Sequence, residues 1–514
     1  MELELKKNAY GFYDILFDLE GSREETYDAI VPDACSDILR LIDTYGTVFV
    51  RGREVRDERL EVTGSVRAEV LYVPEEGRGL SRLEVNIPFS HSFEIEGARP
   101  SAEIIAGAEI RSIDTQTINP RKVLVRVSLS IYARVYEPRA LELCSGVEDA
   151  AKNGVQVLPG EHTAMMPVAV KTKAFSITDE LEIQVGKPAL AEILKSNISL
   201  QAGETRMIGH KMVFKGTAMV KVLYRAAGEI PFENLFVYES EFPFSQILEM
   251  SEVEDEAECS VLLSLSEFHI SERENEGGTR TLGIAFDAEA QAVAYASRRL
   301  QTVSDLYSTK YPTAIEVRPQ NFTGLSEKVN RYQTMRESIE TGMNVKSVVD
   351  FEVSFSQVAL RREASELTIE SSAIIKVVYY GEDDLCYSAS RVMPVSLMLE
   401  TVEKQSGRAR ISPSALVAGA APMGGIEVRF NADFEVELTK MEQVSSVTSV
   451  TFEDEEEEAA PRPSVVLRCP EEGDSLWTVA KRYRTTMQDI LEANGLDDEG
   501  APLSGKLLLI PGRR

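Results

Sequence analysis

The feature that most constrains the fold is a thirteen-residue pattern that occurs three times in the chain. The copies read LEVTGSVRAEVLY (Leu60–Tyr72), MVFKGTAMVKVLY (Met212–Tyr224) and LTIESSAIIKVVY (Leu367–Tyr379). Apolar residues recur on one phase of an alternation in each copy, and a period of two predicts a half-buried β-strand. Three copies of one long strand predict three tandem units that share a mainly β architecture.

A small residue takes the same core-phase position in every copy: Gly64, Gly216 and Ser371. A strand of this length is longer than most strands in globular proteins. A small side chain at a position that should face the core therefore predicts a bend, a bulge or the close approach of another backbone.

A segment marked by proline follows each long strand. The copies are NIPFSHSFE (Asn86–Glu94), EFPFSQILE (Glu241–Glu249) and VMPVSLMLE (Val392–Glu400). Proline donates no backbone hydrogen bond, so the segment is expected to form an edge or bulged strand. His91 of the first copy is replaced by Gln246 and Leu397, whereas the proline and the serine recur. We therefore interpret this segment as structural.

Each unit is expected to close with a further strand. These strands are LVRVSLSIYARV (Leu124–Val135), LGIAFDAEAQAV (Leu282–Val293) and IEVRFNADFEVEL (Ile426–Leu438). Ahead of the long strands, SDILRLI (Ser36–Ile42) and LAEILKS (Leu190–Ser196) are predicted as short helical segments. The predicted units span residues 1–155, 156–315 and 316–452, and the third is the most diverged.

Charge separates these units from the end of the chain. The net charge is −29, which argues against nucleic acid or anionic lipid as the main partner, because phosphate binding needs a basic footprint. The acidic run in FEDEEEEAAPRP predicts an extended linker over residues 453–463. Residues 464–514 hold seven Lys and Arg against eight Asp and Glu, a net charge of −1, and form a separate predicted domain.

Few residues suggest a catalytic, metal-binding or disulfide function. The five cysteines lack C-x-x-C spacing, which predicts free thiols in a reducing compartment, and the four histidines form no metal-ligand pair. Nucleotide-binding and hydrolase motifs are also missing from the sequence. No secretory signal and no long apolar run are recognised, so we expect a cytoplasmic protein. We expect no enzymatic activity, no metal and no cofactor.

The last fifty residues resemble a LysM domain through PEEGDSLWTVAKRYRTTMQDILEANGL and LSGKLLLIPG. Asp474 or Ser475 can cap a helix over Leu476–Tyr483. Thr485 or Thr486 can cap a second helix that ends near Asn494-Gly495. With a first strand and a closing strand that ends at Ile510-Pro511, the expected fold is a small α+β (βααβ) domain. Its predicted core residues lie at helical spacing: Leu476, Val479, Ala480, Ile490 and Leu491.

The LysM resemblance implies a groove that binds N-acetylglucosamine-containing glycans between the loop before helix 1 and the loop after helix 2. Its candidate residues are Gly473, Asp474, Ser475, Leu476, Trp477, Asn494, Gly495 and Leu496. Pro470, Arg484 and the acidic insertion Asp497–Pro502 depart from the usual pattern and weaken the prediction of a sugar site. Trp477 is interpreted as a core anchor between the helices, with direct ligand contact as the alternative.

The repeats resemble the SPOCS domain of endospore-forming bacteria through the series VPDACSDILRLI, V-x-G, VLY and IPFS. Tandem, sandwich-like SPOCS repeats followed by one LysM domain are typical of a family of spore coat morphogenetic proteins. The resemblance implies a mother-cell protein at the forespore surface, which assembles the coat with other coat proteins. It also implies recruitment by the basement-layer ATPase, stage IV sporulation protein A, through the LysM domain.

Two other functions are alternatives to coat assembly. A LysM domain also predicts a protein that binds peptidoglycan or another N-acetylglucosamine-containing glycan of the cell wall or cortex. A cytoplasmic location disfavours this alternative, because it places the chain across a membrane from peptidoglycan. An enzyme with an unrecognised site in the repeats is disfavoured by the missing catalytic motifs.

Overall fold

The computed structural model describes residues 3–512 apart from 76–78, 100, 184–186, 228–233, 252, 254–255, 275–279, 402–404, 423, 454–462, 472 and 497–506. Almost all of the predicted linker 453–463, and the whole acidic insertion Asp497–Pro502, lie outside the described residues. Strands account for 79% of the structure and helices for 3%, which confirms the mainly β fold.

The first unit consists of six antiparallel strands in two sheets. The strands are β1 (Leu5–Ile30), β2 (Ile38–Arg56), β3 (Arg59–Pro74), β4 (Ser81–Glu94), β5 (Glu103–Asn119) and β6 (Lys122–Val147). One sheet has the order β2-β3-β4 and the other β1-β6-β5. Alternate side chains of both sheets, such as Val62, Ile87 and Val125, share one buried core, as in a β-sandwich.

The second unit repeats this order. Its strands are β7 (Val155–Glu182), β8 (Leu190–Ile208), β9 (Lys211–Ala226), β10 (Leu235–Glu249), β11 (Ala257–Glu274) and β12 (Arg280–Ser308). The sheet β8-β9-β10 packs on β7, β12 and β11 around a core that includes Phe214, Phe244 and Phe286.

The third unit has the same plan with one strand divided. Its strands are β13 (Thr313–Ile339), β14 (Val345–Phe355), β15 (Ala359–Glu363), β16 (Glu366–Gly381), β17 (Cys386–Glu400), β18 (Gln405–Ala420) and β19 (Ile426–Phe452). Both β14 and β15 pair with β16, which also pairs with β17. Pairing of Leu325 with Met165 joins β13 to β7. The unit boundaries predicted from the sequence stay predictions, and the strands pass from one set to the next at 147–155 and 308–313.

The two segments predicted as helical are strands, so that prediction was wrong. Ser36–Ile42 enters β2 and Leu190–Ser196 lies in β8. In the first part of each strand the register shifts twice, between Ile38 and Arg40 and between Leu41 and Asp43 in β2, and at matching points in β8. Each β-bulge adds a residue to the alternation. The buried side chains therefore recur at spacings of three and four, as in a helix: Ile38, Ile42 and Tyr45, then Leu190, Leu194 and Ile198.

The close approach of another backbone is confirmed at Gly64 of β3, whereas the group that lies close to Gly216 of β9 is a side chain. A Cβ on Gly64 would lie 2.1 Å from the Phe49 carbonyl oxygen, and a Cβ on Gly216 would lie 2.4 Å from the Phe244 ring. The bulge expected there lies in the partner strand, at Val50/Gly52 of β2 and at Ala202/Thr205 of β8.

In the third unit, an interruption of the partner strand makes room at the equivalent position. Its partner strand is interrupted between β14 and β15, next to Ser371. The Ser371 hydroxyl fits in this gap and donates a hydrogen bond to the Ser356 carbonyl at 3.0 Å. A side chain is therefore tolerated where the other units need glycine.

The strands that carry the recurring proline lie at sheet edges, as predicted. In the described sheets β4, β10 and β17 pair with β3, β9 and β16 respectively and end their sheets. Pro88, Pro243 and Pro394 are opposite Ser65, Thr217 and Ser372. At a sheet edge, the position of the missing proline N–H can face away from the neighbouring strand, so no hydrogen bond of the sheet is lost.

The three units close into a ring through the tenth residue of the thirteen-residue pattern. Glu69 of the first unit accepts a hydrogen bond from the Ser196 N–H of the second at 3.1 Å. Lys221 of the second lies 2.7 Å from Asp350 of the third, and Lys376 of the third lies 2.9 Å from Asp43 of the first. Leu71, Leu223 and Val378, which also share one pattern position, belong to one buried cluster between the units.

The junction between the second and third units contains fully buried charges. Asp350 also accepts a hydrogen bond from Lys195 at 3.0 Å, and their side chains are 0% and 2% exposed. Burial acts to raise the pKa of Asp350, but Lys195 and Lys221 together lower it below its usual value. Burial acts to lower the pKa of Lys195, and Asp350 and Glu352 raise it above its usual value. Both groups are therefore held in their charged forms.

The C-terminal domain consists of β20 (Val465–Arg468), α1 (Leu476–Tyr483), α2 (Met487–Asn494) and β21 (Leu508–Pro511). The strands β20 and β21 pair antiparallel, which gives the predicted βααβ order. Within the described part of the chain, no helix is long and apolar enough to cross a membrane.

Candidate functional site

The first helix of the C-terminal domain begins at a capping box. Ser475 is the N-cap: its hydroxyl accepts a hydrogen bond from the Thr478 N–H at 3.2 Å, and the Thr478 hydroxyl accepts one from the Ser475 N–H at 2.9 Å. This reciprocal pair satisfies two N–H groups that the helix leaves free. Of the two predicted caps, Ser475 fills the role, while Asp474 accepts a hydrogen bond from the Glu471 N–H at 3.1 Å.

The second helix also begins at a capping box, and it ends at a residue with a left-handed backbone conformation. Thr486, one of the two predicted caps, accepts a hydrogen bond from the Asp489 N–H at 3.1 Å. Gly495 ends the helix with φ 59°, a conformation that glycine adopts without strain. Arg484 ends α1 with φ 51°, where glycine is usual in LysM sequences, and it carries the cost of a side chain in the left-handed region.

The core predicted for this domain is confirmed. Leu476, Val479, Ala480, Ile490 and Leu491 are buried and pack in one cluster. Leu508 and Ile510 of β21 complete it, so the two helices lie on the small sheet through their apolar faces.

The candidate groove residues differ in what they can offer a ligand. Gly473, Ser475 and Gly495 are exposed, Asp474, Asn494 and Leu496 are partly exposed, and Leu476 and Trp477 are buried. Asn494 donates hydrogen bonds to the Ile490 and Leu509 carbonyls, both at 2.7 Å, and accepts one from the Leu509 N–H at 2.8 Å. Its side chain therefore ties the end of α2 to β21 rather than projecting into solvent.

Trp477 makes a contact outside its own domain. Its side chain is 6% exposed, and its indole Nε1–H donates a hydrogen bond to Asp305 of β12 at 2.7 Å. The ring of Tyr307 meets the indole edge-on at a centroid distance of 4.9 Å. Neither role predicted for Trp477, core anchor or ligand contact, includes this bond to a residue of the second unit. Direct contact of Trp477 with a ligand stays a hypothesis.

Two further bonds fix the C-terminal domain on the second unit. Lys481, one turn after Trp477, donates a hydrogen bond to the other oxygen of Asp305 at 2.5 Å. The Tyr307 hydroxyl donates to the Thr485 carbonyl at 2.7 Å. Tyr307 and Leu158, which come from the second unit, belong to the same apolar cluster as the core of the C-terminal domain. No sequence pattern pointed to Asp305 or Tyr307, because both lie outside the repeated segments.

A cavity of about 570 Å³ lies between the three units. Four of its charged lining residues are paired: Lys376 pairs with Asp43, Arg410 with Glu109, and Glu352 with Lys195. Thr47 and Asn197 meet across it in a 3.3 Å hydrogen bond. Among the residues that the structure describes, no group of three or more His, Cys, Asp or Glu side chains could hold a metal ion.

Family models match both parts of the chain. The model of the SipL SPOCS domain matches residues 37–118 and 190–270, and the LysM model matches residues 471–511. The chain therefore carries two SPOCS-domain segments followed by a LysM domain, as the sequence resemblance predicts. The two SPOCS segments cover β2–β5 of the first unit and β8–β11 of the second, apart from the last residues of β5 and β11.

The matched domains indicate a function in general terms. The SPOCS segments connect the chain to sporulation, and the LysM domain is a module of the glycan-binding type. Both are non-catalytic domain families. No curated protein and no solved structure matches the chain.

Proposed function

We propose that this protein is a non-enzymatic assembly factor of the spore coat, and that it gathers around the forespore by binding the basement-layer ATPase, stage IV sporulation protein A. The LysM domain is the proposed binding module, and the SPOCS units form the scaffold to which other coat proteins bind. The observation that carries this proposal is the presence of SPOCS segments and a LysM domain on one chain.

The architecture suits a scaffold. Separation of the second and third units would leave the charges of Lys195 and Asp350 unpaired in the interior. The first unit is held to the other two by the bond from the Ser196 N–H to Glu69 and by the partly buried pair of Lys376 and Asp43. Lys376, Arg410, Glu109 and Glu352, which line the central cavity, form ion pairs between the units. A rigid ring with one small domain attached to it offers several fixed surfaces to partners.

The surface of the LysM loops favours a protein partner. The polar side chains at the predicted groove already make internal hydrogen bonds: Asp474 to Glu471, Ser475 to Thr478, and Asn494 to Ile490 and Leu509. A small-ligand site usually needs a few polar groups that converge on the ligand. A protein can instead bind the loops through shape and backbone contacts.

The glycan alternative has one observation in its favour. The exposed positions Gly473, Ser475 and Gly495 belong to the two loops that the LysM resemblance assigns to sugar binding. Their backbone N–H and C=O groups are of the type that bonds sugar hydroxyls. N-acetylglucosamine oligomers are therefore the ligands to compare with the ATPase.

Calorimetric titration of the full-length protein with the purified ATPase and with chitin oligomers tests the proposal. Ala493 is exposed near the end of α2, so Ala493→Arg adds bulk beside the second loop without disturbing the core. We expect the protein to bind the ATPase, Ala493→Arg to weaken binding at least tenfold, and chitin oligomers to give no heat. Gln488→Arg at the other end of α2 is the matched control and should bind as the wild type does. Binding of chitin without binding of the ATPase would contradict the proposal.

A further inference from the structure

One carboxylate on β12 receives two donors from α1. Trp477 Nε1 lies 2.7 Å from one oxygen of Asp305, and Lys481 Nζ lies 2.5 Å from the other. Residues four apart lie on the same face of a helix, so the indole N–H and the ammonium group point at one spot. This face of α1 is therefore built to hold a carboxylate, with one neutral and one charged donor.

The aromatic neighbour of this carboxylate adds specificity. Tyr307 is two residues after Asp305 on a strand, so both side chains leave the same side of β12. The Tyr307 ring packs on Trp477, and its hydroxyl donates to the Thr485 carbonyl. The LysM domain thus binds a strand segment of the form Asp-x-Tyr, and its own chain supplies one.

The contact is of a kind that can exchange. The side chains of Asp305 and Lys481 are 23% and 37% exposed, and solvent weakens ion pairs of this exposure. Covalent attachment compensates, because a tethered domain meets its site at a high effective concentration. The tether starts close to the site: Phe452 at the end of β19 packs on Tyr311, just after β12, at a ring distance of 4.8 Å.

We propose that Asp305 and Tyr307 form a latch, and that this latch covers a second protein-binding face of the LysM domain. When the latch is closed, Trp477 and Lys481 are occupied by the same chain. When it opens, they take an acidic strand segment of a partner protein that presents a carboxylate and an aromatic ring two residues apart. The latch leaves the loops at Gly473–Ser475 and Asn494–Leu496 free, so this inference does not depend on which ligand binds those loops.

The first test uses Trp477, the sole tryptophan of the chain, in the full-length protein. In Asp305→Ala we expect its emission to shift to longer wavelength and its quenching by acrylamide to rise several-fold. Asp179→Ala, which removes an exposed carboxylate from β7, should match the wild type. Asp305→Asn keeps the shape and one acceptor oxygen, and it should change in the same direction by less. Unchanged emission and quenching in both Asp305 variants, with circular dichroism like the wild type, would overturn the latch.

The second test asks whether the opened face takes the proposed segment. A labelled peptide VSDLYST, which copies Val303–Thr309, is titrated with the wild type and with Asp305→Ala, and binding is followed by anisotropy. We expect the variant to bind the peptide at least tenfold more tightly than the wild type. Peptide VSNLYST, or Lys481→Ala added to the variant, should remove this gain. Equal binding by wild type and variant, or equal binding of both peptides, would overturn the proposal.

Discussion

The junctions within the ring and the junction with the LysM domain use the same chemistry at different depths. In the ring, Asp350 meets Lys195 and Lys221 with its side chain fully buried. At the LysM domain, Asp305 meets Trp477 and Lys481 with about a quarter of its side chain in solvent. Burial makes the first junction intolerant of any unpaired charge, and exposure leaves the second reversible. The buried junctions suit a permanent scaffold, and the exposed junction suits a domain that can be released.

Removal of the central carboxylate of the ring should have the largest effect. In Asp350→Ala the buried Lys195 and the partly buried Lys221 lose the carboxylate they share and keep only Glu352 and Glu239 respectively, and we expect the free energy of unfolding to fall by about 3–5 kcal/mol. Urea unfolding followed by circular dichroism measures this loss. Glu316→Ala, which breaks an exposed pair with Arg318, is the control and should change stability by less than about 0.5 kcal/mol. Equal effects of the two variants would contradict the assigned role of burial.

The small residues of the repeated pattern give the next effect. Gly64→Ala puts a Cβ against the Phe49 carbonyl, and we expect it to destabilise the protein by about 1–3 kcal/mol. Ser371→Ala at the equivalent position of the third unit removes the bond to the Ser356 carbonyl and the longer contact with the Ser356 hydroxyl, at a cost of about 0.5–1.5 kcal/mol. The same denaturation experiment compares the two variants. A milder effect at Gly64 than at Ser371 would show that the neighbouring strands give way.

The pH dependence of the ring junctions should have opposite signs at two carboxylates. The lowered pKa of Asp350 means that its contribution to stability is present above the pKa of the unfolded chain and is lost as the pH falls through the folded value. Burial raises the pKa of Glu69, against the lowering effect of the Ser196 N–H and of Arg82 and Lys195. Its contribution is present below the unfolded pKa and is lost as the pH rises through the folded value.

Two variants separate these signs in denaturation series between pH 3 and pH 7. Relative to the wild type, Asp350→Asn should lose more stability at pH 7 than at pH 3. The stability of Glu69→Gln relative to the wild type should instead be higher at pH 7 than at pH 3. The same pH slope in both variants would contradict the assigned directions.

The smallest effect is expected at the LysM junction. Tyr307→Phe keeps the ring on Trp477 and removes the hydrogen bond to Thr485, which should weaken docking by about 1 kcal/mol. Acrylamide quenching of Trp477 detects this as a modest rise in accessibility. Tyr238→Phe, which removes a hydrogen bond to Glu182 inside the second unit, should leave the quenching unchanged.

Local signals in the sequence predicted some parts of this fold well. The LysM helices begin at their N-caps Ser475 and Thr486, and the second ends at Gly495. These residues act on the backbone within a few positions of the chain, so the sequence alone predicts them. The edge strands followed from a property of proline that needs no partner. The helical prediction for Leu190–Ser196 failed because bulges, which depend on the pairing with β9, gave a strand the spacing of a helix.

Contacts between distant residues could not be predicted. Ring closure depends on Lys376 meeting Asp43, which lies 333 positions away, and no periodicity encodes that pairing. The same holds for Trp477 and Asp305, 172 positions apart. The sequence therefore indicated the groove loops of the LysM domain but not the face by which that domain is held.

Urea unfolding of the full-length wild type, followed at once by Trp477 emission and by far-ultraviolet circular dichroism, tests the contrast between ring and latch most directly. Trp477 reports on the LysM junction, and circular dichroism reports mainly on the strands of the ring. We predict that the emission changes at a lower urea concentration than the circular dichroism, because the exposed junction opens before the buried ones. Coincident transitions would contradict the account, since they would show that the LysM domain is as firmly fixed as the ring.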